Sequence, residues 1–184
     1  MKHRIPTIAV ALAAAVACAV PTAVAVAGPA APSVPDRITV DDGHKPYLIT
    51  HAEGVQIYTC GATASGGYAW GPSTPRADLF DGEGKTIGRH YGGPSWETRD
   101  GSRVTAARVD SVTVEPTAIP WLLLKATPVP GTEGDRLDAT TFIQRVATEG
   151  GLAPAAGECT AASAGTVREV PYEADYVFWK RSAA

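Results

Sequence analysis

Beyond its first 27 residues, the chain has no ten-residue window that keeps the apolar period of 3.6 an amphipathic helix needs, and this constrains the fold more than any other feature. Glycine (19) and proline (15) recur throughout, so the apolar and β-branched segments are short and end in turn residues. These segments are Tyr47 to Thr50, Val55 to Cys60, Tyr68 to Trp70, Ala77 to Phe80, Val104 to Val109, Val112 to Glu115, Ile119 to Thr127, Thr140 to Thr148 and Tyr172 to Lys180. They predict an all-β domain with few helices, a single antiparallel β-barrel or β-sandwich. The barrel is favoured because a closed sheet hides its edges.

The first 27 residues read differently. Lys2, His3 and Arg4 form a basic head, the chain is uncharged from Ile5 to Ala27, and Ala25-Val26-Ala27 is a small-x-small triplet. This is the pattern of a signal peptide cleaved after Ala27, so the protein is expected to be secreted. Pro6 and Pro21 argue against a retained membrane helix, and a lipoprotein anchored at Cys18 is the minor alternative. Residues 28–36 read as a disordered Pro/Ala linker, and residues 37–184 as one domain.

Removing the leader lowers the apolar content from 45% to 62 of 157 residues and leaves 14 basic against 19 acidic residues, a net charge of −5. Such a chain has no electrostatic case for nucleic acid or an anionic membrane surface. A soluble monomer with no membrane span is expected after cleavage. Two cysteines remain, Cys60 and Cys159. In an oxidising compartment an even pair is expected to form a disulfide. Free thiols or a metal pair are the alternatives, but no His or Cys cluster with ligand spacing accompanies either residue.

Three Asp-Gly pairs, Asp42-Gly43, Asp81-Gly82 and Asp100-Gly101, mark tight turns. A two-residue loop at Asp100-Gly101 would set Trp96 opposite Thr105 and Glu97 opposite Val104, with Trp96 and Glu97 on opposite faces. Ile119-Pro120-Trp121-Leu122-Leu123-Leu124 is apolar on both faces and reads as a strand covered on each side, with Pro120 at its start. In the next strand Gln144 and Arg145 must face opposite ways.

Motifs for chemistry are sparse. Gly82-Glu83-Gly84-Lys85-Thr86-Ile87-Gly88 fails the spacing of both a dinucleotide fingerprint and a P-loop, and Lys85 spoils a calcium loop, so it reads as a hairpin turn. No serine sits in a Gly-x-Ser-x-Gly elbow, although a triad using His44, His51 or His90 could assemble in space. The densest chemistry lies around His90, Trp96, Glu97 and Asp100. His90 is a candidate general base, Glu97 or Asp100 its acidic partner, and Trp96 a stacking platform. The structural alternative is that Gly92-Gly93-Pro94 bends the chain, Trp96 fills the core, and His90 and Glu97 bond to backbone. Gln56 and Gln144, inside otherwise apolar strands, are candidate ligand contacts. No metal site and no cofactor are expected.

Val55-Gln56-Ile57-Tyr58-Thr59-Cys60, the stretch from Ile87 to Glu97 followed by Asp100-Gly101-Ser102, Ile119 to Leu124, Ile143 to Gly151 and Pro171 to Trp179 together resemble the secreted bacterial and fungal family of domain of unknown function 3455. The resemblance spans essentially the whole mature chain. It implies a secreted single domain with a cysteine pair at Cys60 and Cys159, and implies no activity. A malate dehydrogenase label carried by some fungal members does not fit a chain that lacks a Rossmann fingerprint. The leading expectation is an extracellular binding or interaction module for a small molecule or glycan. The alternatives are an extracellular hydrolase or lyase acting on wall polymer or carbohydrate, and a structural envelope protein.

Overall fold

The computed structural model describes residues 28–183. The expected leader, and Cys18 within it, lie outside the described residues. Nine strands form: β1 (His44–Ala62), β2 (Tyr68–Trp70), β3 (Thr74–Phe80), β4 (Thr86–Tyr91), β5 (Ser95–Thr98), β6 (Arg103–Val112), β7 (Trp121–Pro128), β8 (Phe142–Gly150) and β9 (Val167–Arg181). Among the described residues the only helical elements are 3-10 turns at Asp36–Ile38, Ala156–Glu158 and Ala161–Ser163. All pairings are antiparallel. From β3 to β9 each strand pairs with the next, and β1 pairs with both β3 and β9, so the ladder returns to its start. β2 is a short addition at the end of β1. The expected all-β class is what forms.

Several boundaries differ from expectation for physical reasons. The separate strands expected at Tyr47 to Thr50 and Val55 to Cys60 are one strand, because Gly54 does not end it. A Cβ at Gly54 would lie 2.2 Å from the Arg76 carbonyl oxygen, so this glycine lets β3 approach. Gly88 plays the same part in β4, a strand too polar to show as an apolar run; a Cβ there would lie 2.3 Å from the Glu97 carbonyl oxygen. The run expected at Val104 to Val109 continues past Asp110 to Val112 in β6, with a register shift between Arg108 and Asp110, whereas the separate strand expected at Val112 to Glu115 does not form, its last three residues leading into a turn. The β5–β6 hairpin is one residue off the expected register: Trp96 faces Val104 and Glu97 faces Arg103. Its loop is longer than Asp100-Gly101. Thr98 N–H donates to Ser102 O, Gly101 N–H donates to Thr98 O, and Gly101 takes φ +90°.

Alternation along the strands builds two apolar clusters. Leu79, Trp96, Val104, Leu124, Ile143, Tyr176 and Phe178 point into the ring. Leu123, Val146, Val177 and Trp179 point outward and are covered by Ile38 and Val40, with Val34 packed beside them. As expected, β7 is covered on both faces, with Pro120 just before its start. Burying a side chain such as Ile38, which is 0% exposed, contributes roughly 2 kcal/mol. The Cys60–Cys159 disulfide ties the end of β1 to the segment before β9, with the Cα atoms 5.4 Å apart and a sequence separation of 99. Closing a loop of that length disfavours the unfolded chain by roughly 4 to 5 kcal/mol.

Candidate functional site

Part of the ring's interior is a chamber of about 470 Å³ with a wall part polar and part apolar. Gln56 from β1, His90 from β4, Trp96 from β5, Arg145 from β8 and Tyr176 from β9 line it, with Leu122 and Leu124 of β7 supplying apolar wall. His90 and Trp96 are opposite one another in the β4–β5 ladder and so share a face. Their rings stack with centroids 4.2 Å apart, and Tyr176 meets both edge-on at 4.9 and 5.3 Å.

His90 is neutral in this setting. Its Nδ1 lies 2.9 Å from the Ser95 carbonyl oxygen, which can only accept, so Nδ1 carries the hydrogen and Nε2 keeps a lone pair. Burial lowers its pKa from 6.5 to about 3, against a smaller opposing effect of the Ser95 bond. Gln56 and Trp96 are 2% and 1% exposed, and the Gln56 Nε2 and Trp96 Nε1 groups have no partner. A buried donor left unmade costs about 1–3 kcal/mol. Arg145 donates from Nε and Nη2 to the Pro120 carbonyl oxygen at 3.1 and 2.7 Å. Among the described residues it has no ion-pair partner. Burial raises the pKa of Tyr176, and the Arg145 charge partly opposes that shift.

The structure therefore brings together three residues marked in the sequence, Gln56, His90 and Trp96, in this chamber; Gln144 and Asp100 lie apart from them, and Glu97 meets His90 only along a separate, more open cleft of about 690 Å³. Gln144 faces the opposite side of β8. Its Nε2 donates to Ile38 O at 2.6 Å, and its Oε1 accepts from Trp179 Nε1 at 2.9 Å. Glu97, next to Trp96 in β5, faces the other side of the sheet and accepts from Tyr91 Oη at 2.7 Å and Arg89 Nη2 at 2.9 Å. The Tyr91 bond first, and Arg89 with it, hold its pKa below the usual value. Asp100 is a structural pin. It accepts from the Thr98 hydroxyl, both the backbone and hydroxyl of Ser102, and the backbone N–H groups of Asp135 and Arg136. Burial pulls its pKa up, but these bonds outweigh that and hold it well below the carboxylate range. Neither carboxylate is a partner for His90.

The other histidines are outside the chamber. His51 Nδ1 lies 3.0 Å from Asp175 Oδ1, with Glu173 and Glu53 at 3.5 and 3.7 Å from its Nε2, and His44 Nδ1 donates to Asp41 O at 3.1 Å. Among the described residues no serine hydroxyl is bonded to His44, His51 or His90. Among the described residues no group of three or more His, Cys, Asp or Glu side chains is arranged to hold a metal ion. Arg145 and Tyr176 are the chamber residues that sequence reasoning passed over. The signal for Arg145 was present: a cation in the middle of an apolar strand, on the face opposite Gln144.

Fold and site together define an all-antiparallel, disulfide-linked domain with a part-polar chamber inside a single sheet. Residues 41–180 match the family model described as protein of unknown function (DUF3455), and the chain belongs to that family. Comparison with curated proteins gives no match, and comparison with solved structures gives none either. No helix among the described residues is long and apolar enough to cross a membrane.

Proposed function

We propose that this is an exported binding module whose ring of strands closes as a barrel and which takes a small molecule into the chamber between Gln56, His90, Trp96, Arg145 and Tyr176. The observation that carries this reading is an open cavity bounded by Gln56 and Trp96, two residues whose buried Nε2 and Nε1 groups have no partner within the chain. Most buried polar groups that serve structure find partners, as Gln144 does; Thr50 Oγ1, outside the chamber, is the one other buried side-chain atom without one among the described residues. A volume of about 470 Å³ suits a small ligand. The disulfide is compatible with an extracellular location.

A thermal-shift screen of the exported protein tests this, using a panel of neutral, acidic and basic small molecules and short glycans. A compound at roughly 100 times its Kd adds about 2.7 kcal/mol to stability, a shift of several degrees. At least one compound is expected to raise the melting temperature of the native protein but not of Ala106→Phe, which fills the chamber from β6. The reading falls if no member of the panel moves the native protein.

A further inference from the structure

The charge around the chamber is opposite to that of the chain. The protein is acidic overall, at net −3, yet no Asp or Glu lines the chamber, while Arg145 and Arg108 do. Arg108 is exposed, but Arg145 is half-buried. Two other strand arginines are neutralised, Arg76 by Glu169 and Arg89 by Glu97, as is Arg37 beside the sheet by Asp110, whereas Arg108, Arg168 and Arg181, which make no ion pair among the described residues, are exposed to water. Arg145 has the Pro120 carbonyl, which accepts its Nε and Nη2 bonds, and the Tyr176 hydroxyl close by, and neither brings a charge. Removing a cation from water without a counter-charge is costly, and a guanidinium retains donors for a second, bidentate partner.

The hydrogen-bonding character of the wall has the same sign. A guanidinium and an indole N–H can only donate, whereas the Gln56 amide can present either end. These groups call for acceptors, and beside the hydroxyls of Ser73, Thr74 and Tyr176 and the free His90 Nε2 the wall offers apolar surface, Leu122 and Leu124 on one side and the His90–Trp96 stack on another.

We infer, resting on the chamber being a binding site, that its ligand is a small organic acid whose carboxylate pairs with Arg145 and whose apolar body lies against Leu122, Leu124 and Trp96. The carboxylate supplies the counter-charge the chain withholds. The apolar body replaces water over surface that is hydrophobic on both sides.

Calorimetric titration of the exported protein with three probes separates the possibilities: 3-phenylpropanoate, its alcohol 3-phenylpropan-1-ol, and glucuronate, an acid without an apolar body. The acid is expected to bind at least about 10-fold more tightly than its alcohol, since a hydrogen bond to a charged group is worth 1.5–3 kcal/mol. Glucuronate is expected to bind more weakly than 3-phenylpropanoate. Arg145→Gln and Arg145→Lys are each expected to weaken the acid about 10- to 100-fold and to leave the alcohol unchanged. The ligand-side comparison needs no variant, so it stands even if loss of the Pro120 bonds unfolds one of them.

Equal binding of acid and alcohol would overturn the assignment while leaving the chamber a binding site. Preference for glucuronate would overturn the apolar half. Silence from all three probes, with a ligand found in the broader thermal-shift panel, would overturn the assignment alone. Silence in that panel too would remove the binding reading itself.

Discussion

Gln144 and Gln56 are both almost fully buried, at 0% and 2% exposure, in strands of the same sheet, yet only Gln144 has used its amide. Gln144 joins the segment at Ile38 to Trp179 of β9, with a donor and an acceptor both satisfied. Gln56 keeps an unpaired N–H in the wall of the chamber. The two regions around them differ in the same way. On the outer face, the segment around Ile38 and Val40 seals an apolar cluster and every marked polar group there is bonded. Inside, the chamber holds an imidazole, an indole N–H, an amide and a guanidinium that the chain only partly satisfies. A buried polar residue is therefore informative through its partners, since burial alone does not separate a structural tie from an open site.

This contrast can be tested, first through His90. A buried neutral imidazole with its pKa lowered to about 3 binds fewer protons folded than unfolded once the pH is below the ordinary 6.5. Its contribution is complete above 6.5 and is lost as pH falls toward 3. By pH 4 the loss is on the order of 3 kcal/mol. Urea unfolding at pH 7 and pH 4 should show the native protein losing that much more stability than His90→Phe. Equal losses would mean the imidazole is not held neutral in the chamber wall.

The next largest effect comes from making one substitution at both glutamines. Gln144→Met keeps the side chain's bulk but orphans the Trp179 indole N–H and the Ile38 carbonyl, and is expected to cost about 2 kcal/mol. Gln56→Met removes a group whose N–H has no partner, and is expected to change stability by less than about 0.5 kcal/mol or to increase it slightly. Chemical denaturation of the two variants side by side is the measurement. A cost at Gln56 matching that at Gln144 would erase the distinction between the regions.

Much of the fold was legible in the sequence, because turn residues and period-2 patterning act locally. The lack of any long helix among the described residues followed from such patterns, the two-faced cover of β7 from its unbroken apolar run, and the Cys60–Cys159 bridge from the cysteine count outside the leader. What misled was treating each glycine as punctuation. Gly54 and Gly88 lie within strands, and the reason is a neighbouring backbone that only the folded sheet brings near. The candidate site was half legible. His90, Trp96 and Gln56 converge, whereas Glu97 turns outward beside Arg89 and Tyr91, as strand alternation after an inward Trp96 requires.

The sequence by itself determined that the chain forms antiparallel strands stapled across about a hundred residues, and that Gln144 and Arg145 must face opposite ways. Only the tertiary structure decided which of the two faces inward. That choice depends on the register of β8 against β7 and β9, and on Ile38, 106 positions away, lying over the outer face to accept the Gln144 bond. Strand periodicity fixes opposition between neighbours, but the side that becomes the interior is set by closure of the ladder and by what covers it from outside.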